Sequence, residues 1–174
     1  MKIDIEFVRS NFPAFSEPSL SNQAFFENAG GSYMCKQVID RFNNFYVKRK
    51  VQPYGLYKSS EEAGLEMDKA RERMAKHLNV LPDEVSFGPS TSQNTYVLSQ
   101  GFLDSMNEGD AIIVSEQEHE ANAGSWHRMG ERGVEVIEWQ IDKESGRLDI
   151  DELKKLLKEN VKIVAVTHCS NIVG

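Results

Sequence analysis

The chain has 174 residues, 40% hydrophobic and 27% charged, with a net charge of −7 at neutral pH. That composition is of an ordinary globular domain, and without a Lys/Arg cluster it argues against a nucleic-acid footprint. No apolar run approaches the roughly 18 residues of a membrane span, and the start, Met1-Lys2-Ile3-Asp4-Ile5-Glu6, is acidic and mixed, unlike a secretory signal. The two cysteines, Cys35 and Cys169, match no metal-ligand spacing. As free thiols without an export signal they suggest the cytoplasm.

In chain order, the pattern predicts a short helix over residues 4–10, then a Pro- and Ser-containing arm to residue 22. A short strand is expected at 23–26, broken by Glu27-Asn28-Ala29-Gly30-Gly31. Val38, Phe42, Phe45 and Tyr46 fall at helical spacing, which predicts an amphipathic helix over 34–49. Ser59 and Glu62 form a capping-box pattern, and Leu65, Ala70, Met74 and Leu78 carry a helix to about residue 77. A strand is expected at 83–87, a turn at 88–92 and a helix over 93–103. Next come a strand at 110–115, a helix near 121–131 and a strand at 134–140. A helix over 152–158, capped near Asp149 to Asp151, and an apolar strand at 161–167 complete the run. Alternating strands and helices at this spacing imply an α/β class, with a mainly parallel sheet covered by helices. Such sheets bind ligands at the carboxyl ends of their strands. With the last expected strand so near Gly174, the domain is expected to be cut in its middle.

Three stretches fall at that edge. Gly88-Pro89-Ser90-Thr91-Ser92-Gln93 is a hydroxyl-rich strand-to-helix turn, where open backbone N–H groups and the positive helix end suit an anion. Taken alone, it is more simply an N-capped helix start, and it lacks the G-K-[ST] of a Walker loop. Ser115 to Asn122 includes His119, which can stack on a flat ligand or move protons, or simply sit exposed among acids. Val166 to Gly174 includes Asn171, an amide donor at the end of a strand, in a run that also reads as a plain turn. Cys169 reads as a small hydrophobe more readily than as a nucleophile, and no metal site is expected from His119, His168 and Cys169.

Together these stretches carry a resemblance. Glu118-His119-Glu120-Ala121-Asn122 with Trp126 is similar to an E-H-x-A-N-x-x-x-W signature. His168 to Gly174 is similar to H-x-S-N-x-x-G, residues 85–93 to a phosphate turn, and Phe26 to Gly31 to a loop near the substrate. The family is that of the class V aminotransferases and cysteine desulfurases, which use pyridoxal 5'-phosphate (PLP). Phe12-Pro13-Ala14-Phe15 and Pro82-Asp83-Glu84-Val85 resemble the desulfurase branch best.

The resemblance implies the large domain of the PLP transferases (aspartate aminotransferase type, fold type I), cut short. Residues 1–22 would be an N-terminal arm belonging to the small domain, and 23–174 an incomplete PLP-binding domain. It implies PLP chemistry on an amino-acid substrate, in a protein that pairs as a homodimer. Thr91 and Ser92 would bind the phosphate, His119 would stack on the ring and Asn171 would meet its phenolic oxygen. Asn28, Ala29 and Gly30 would lie near the substrate carboxylate. The family's Schiff-base lysine follows a Ser-x-His motif further on, and no lysine here has that context. This chain is therefore expected to be inactive alone, with no catalytic residue of its own. The rival expectation is a non-catalytic fragment that only binds or pairs with another chain. A nucleotide-binding domain is the third reading, disfavoured because no G-x-G-x-x-G follows the first strand.

Overall fold

The structure, a computed structural model, describes residues 2–174. They form two compact units, divided between Ser86 and Phe87.

The first unit is helical. Asp4 caps α1 (Ile5–Ser10) by accepting from the Phe7 amide at 3.0 Å. Two short 3-10 turns follow, each opened by a proline whose missing N–H costs nothing there. Helices α2 (Lys36–Lys48) and α3 (Lys58–Leu78) are linked by Arg41 to Glu66 at 2.9 Å, and Arg49, just past α2, reaches Glu62 at 2.7 Å. Helix α3 ends at Asn79, whose φ of 57° is the left-handed C-cap conformation that asparagine tolerates.

Three local expectations fail here. Residues 23–26 form no strand, because no other strand among the described residues pairs with them. Residues 83–87 form none either. Pro82 opens a 3-10 turn (Pro82–Glu84), and the Glu84 carboxylate folds back to accept from the Leu81 amide at 2.8 Å. Ser59 is no cap, since α3 already begins at Lys58. The buried hydroxyl of Ser60 instead closes the preceding loop, donating to the Gln52 carbonyl and accepting from the Gly55 amide at 2.6 Å. Within that loop Tyr54 adopts φ 64°, a conformation costly for an aromatic residue. Its hydroxyl donates to Asp68 at 2.7 Å, which pushes the phenol above its ordinary pKa, and its ring lies directly on Gly64 of α3.

The second unit holds a parallel sheet of β1 (Ala111–Ser115), β2 (Glu135–Trp139) and β3 (Val161–Ala165), in the order β2-β1-β3. Ile112 pairs with Val136 on one side and Ile163 on the other, with an irregularity between Ala111 and Ile112 on the β3 side. All five residues of β1 are buried, as a central strand covered on both faces requires. Helices α4 (Thr91–Leu103) and α5 (Glu120–His127) pack on each other, and α5 lies on β1 and β3. The core on that face joins Ile112, Val114 and Ala165 to Trp126 and Met129.

β2 and β3 flank β1 on opposite sides, so right-handed crossovers put α5 and α6 (Ile150–Leu156) on opposite faces. Helix α6 contacts β2, and the buried Trp139 indole donates to the Asp149 carbonyl at α6's cap. At the amino edge of the sheet, Asp110 accepts from the Asn107 amide at 2.7 Å and lies 3.6 Å from the Lys162 ammonium. These contacts, the amide first, hold its carboxyl below the usual range. No described helix is long and apolar enough to cross a membrane.

Candidate functional site

The carboxyl edge of the sheet gathers the chemistry of the second unit. Ser90 sits in extended backbone just before α4, and its hydroxyl accepts from the Gln93 amide at 3.2 Å. The Asn94 amide reaches the Ser90 carbonyl at 3.0 Å. The amides of Thr91 and Ser92, by contrast, meet no acceptor among the described residues, and both side chains are exposed. Two open N–H donors and two hydroxyls at the positive end of a 13-residue helix form a donor set suited to a phosphate. Gly88 lets Asn94 fold back over this turn, where an added Cβ would stand 1.7 Å from Asn94 Oδ1.

β1 ends at Ser115, and the next four residues turn into α5. His119 is the N-cap of α5, and its own Nδ1 accepts from the Ala121 amide at 3.0 Å. A neutral imidazole that accepts at Nδ1 carries its proton on Nε2, and Nε2 meets no partner among the described residues. The turn is braced from both sides. Ser115 Oγ donates to Glu118 Oε1 at 3.1 Å, and Asn122 Nδ2 donates to Glu118 Oε2 at 2.7 Å. The Trp126 indole donates to Asn122 Oδ1 at 3.0 Å. Gln117 and Glu116 bind the loop after β2, which an antiparallel bridge between Ile141 and Leu148 closes, at the Gly146 carbonyl (2.6 Å) and the Ile141 amide (3.0 Å).

Helices α4 and α5 border one open groove of about 440 Å³, lined by Ser92, Gln93, Tyr96, Glu120, Gly124 and Arg128. Ser92 thus shares a groove with Glu120, the residue that follows His119. Arg128 has no place in the sequence reading, because only the packing of α5 on α4 makes it line a groove with Ser92. After β3, Ser170 and Gly174 exchange backbone hydrogen bonds at 3.0 and 3.3 Å, closing a tight turn that contains Asn171. Since β1 and β3 are parallel, this turn leaves from the same edge as the His119 turn. Asn28, Ala29 and Gly30 belong to the first unit, in an exposed turn where Ser32 Oγ donates to Asn28 Oδ1 at 2.9 Å. Among the described residues no cluster of three His, Cys, Asp or Glu side chains is arranged to hold a metal ion.

Known proteins share this architecture. An aminotransferase-like protein of Gibberella zeae is 32% identical over 176 residues, which cover 98% of this chain and 42% of the relative. A cysteine desulfurase of Serratia proteamaculans is 31% identical over 179 residues, covering 100% of this chain and 44% of its own. The apo cysteine desulfurase of Thermococcus onnurineus superposes with a TM-score of 0.84 at 26% identity, over 98% of this chain and 41% of that one. A cysteine desulfurase of Escherichia coli, at 21% identity and a TM-score of 0.80, shares the fold over 98% of this chain and 43% of its own. The chain therefore spans about two fifths of the length of the curated relatives it matches. Its mixed α/β architecture is that of fold type I, as the resemblance implies. The pattern of the aminotransferase class V family matches residues 24–174, which is the whole of the second unit and most of the first, and the chain belongs to that family.

Proposed function

We propose that residues 87–174 form the phosphate and ring side of a PLP site, in a protein that transforms an amino acid by cysteine desulfurase-like or aminotransferase-like chemistry. The observation that carries this reading is the open pair of amides at Thr91 and Ser92, beside the turn that presents His119. A phosphate dianion would take those two N–H groups and the two hydroxyls. The His119 imidazole would lie against the pyridine ring, and Asn171 would donate to the phenolic oxygen. Asn28, Ala29 and Gly30 would meet the substrate carboxylate, with residues 1–22 as an arm and a second copy of the chain completing a homodimer.

PLP supplies an electron sink for the amino acid's α-carbon. The residues of this chain bind and orient. The α4 terminus fixes the phosphate, and the Ala121 amide, by occupying His119 Nδ1, leaves the neutral ring a proton at Nε2 to donate. The resemblance assigns the covalent lysine to the part of the relatives that these residues do not span. We therefore propose that residues 1–174 hold PLP without a covalent bond and do not turn over an amino acid by themselves.

Thr91→Pro tests the phosphate half. Proline fits the first position of a helix, and the extended Ser90 before it (φ −163°, ψ 160°) suits that position, so the backbone is kept while the N–H and the hydroxyl are lost. Affinity for PLP, read from its absorbance, should fall roughly tenfold or more, the worth of a hydrogen bond to a charged group. Affinity for pyridoxal, which has no phosphate, should not change. Equal loss for both, or for neither, would remove the assignment.

A further inference from the structure

We infer that Glu118, Asn122 and Trp126 form a polarised hydrogen-bond relay that holds the His119 ring in one orientation and one tautomer. Its direction is set from the core outward. Trp126 is 4% exposed and packed among Ile112, Val114 and Met129. An indole N–H can only donate, so Asn122 must offer Trp126 its oxygen, at 3.0 Å. The amide is then fixed with its NH₂ toward Glu118, which accepts at 2.7 Å. The second Glu118 oxygen takes the hydroxyl of Ser115, which is 2% exposed and ends the central strand. The relay thus ties β1 to α5 across the segment that carries His119. With both ends of the turn anchored, the His119 carbonyl receives the Asn122 and Ala123 amides at 2.8 and 3.0 Å, and its Nδ1 receives the Ala121 amide. The imidazole cannot rotate without uncapping α5. Glu118, Asn122 and Trp126 are positioning residues that act through His119. That the ring they orient faces PLP rests on the reading above, whereas the relay itself does not.

The polarity makes a reciprocal test available on the 174-residue chain. Asn122→Asp keeps the acceptor for Trp126 but sets a carboxylate against Glu118 where a donor stood. Glu118→Gln alone is tolerable, because its amide can turn to accept from Asn122 and donate to the Ser115 oxygen. Glu118→Gln combined with Asn122→Asp restores every bond, with the new glutamine amide now the donor. The readout is the pair of ring ¹⁵N shifts of His119 in histidine-labelled protein, assigned by loss of the signal in His119→Gln, together with PLP affinity by absorbance.

In the starting protein and in Glu118→Gln, His119 should show the Nε2–H tautomer. In Asn122→Asp it should show an averaged pair of shifts and bind PLP about fivefold or more weakly, as a binding-competent ring orientation populated only about a fifth of the time implies. The double variant should recover the tautomer and come within about twofold of the starting affinity. Should Asn122→Asp fail to fold, recovery of fold and tautomer in the double variant supports the relay equally. An unchanged tautomer in Asn122→Asp, or a double variant as impaired as the single, overturns the relay. Tautomers that follow this pattern in a protein that never binds PLP would instead remove the cofactor reading and leave the relay standing.

Discussion

Two glycines inside helices should respond to alanine with opposite signs. Gly101 lies on α4, and an added Cβ there would meet no atom within 4 Å. Gly101→Ala should therefore show the intrinsic helix gain, about 1 kcal/mol. Gly64 lies on α3, where an added Cβ would stand 2.6 Å from Tyr54 Cδ1 and 2.8 Å from Cε1. The ring cannot simply swing away, since Tyr54 donates its hydroxyl to Asp68 and its amide to the Ser60 carbonyl at 3.1 Å. Contacts this short against a pinned ring belong to the upper part of the overpacking range, about 2–3 kcal/mol, which outweighs the same helix gain and leaves Gly64→Ala less stable by roughly 1–2 kcal/mol.

Urea unfolding followed by far-UV circular dichroism measures both. The decisive arm is Tyr54→Gly, which removes the ring and suits the positive φ at that position. In that background Gly64→Ala should become favourable by about 1 kcal/mol. A Gly64→Ala loss that persists without the ring would refute the assigned cause, as would a loss at Gly101.

The core and the charges at the sheet's amino edge give further expectations. Ile112→Ala, at a fully buried position of the central strand, should cost about 2–5 kcal/mol in urea unfolding, against well under half of that for Val164→Ala on the partly exposed β3. The folded pKa of Asp110 is depressed, so its contribution is present above the unfolded value of about 3.9 and is lost as pH falls through the lower folded value. Asp110→Asn should thus lower the urea midpoint at neutral pH and make it less steep between about pH 5 and 2, and an acid limb parallel to the starting protein's would contradict this. Borohydride reduction in the presence of PLP should leave no stoichiometric adduct on any one lysine, as mapped by peptide mass spectrometry. A single labelled lysine would overturn the non-covalent reading.

The sheet was legible because its signals are redundant. The apolar run of β1, the Asp149 cap and the apolar residues of β3 each define an element without help from neighbours. The run at 23–26 has the residues of a strand but no partner, and pairing is a property of two segments. Ser59 failed as a cap because the loop claims Ser60, through contacts with Gln52 and Gly55 that no local pattern displays. In the candidate site, the N-capped start of α4 followed from hydroxyls before a helix. Glu118, Asn122 and Trp126 were visible as a signature with a spacing of four, yet their joint role needed the burial of the indole and the position of Ser115. The groove cation of Arg128 depends on how α5 meets α4, which helix periodicity does not encode.

Both tryptophans of the chain, Trp126 and Trp139, lie in the second unit, each buried and each donating its indole N–H to an acceptor of that unit. The longest helix, α3, lies in the first. Tryptophan emission therefore watches only the sheet-bearing unit, while far-UV ellipticity weights the helical one. A single denaturation run read at both wavelengths separates two folding transitions without any label. Coincident curves would mean that the units melt together. Displaced curves would give each its own midpoint, and would say which unit a given substitution has weakened.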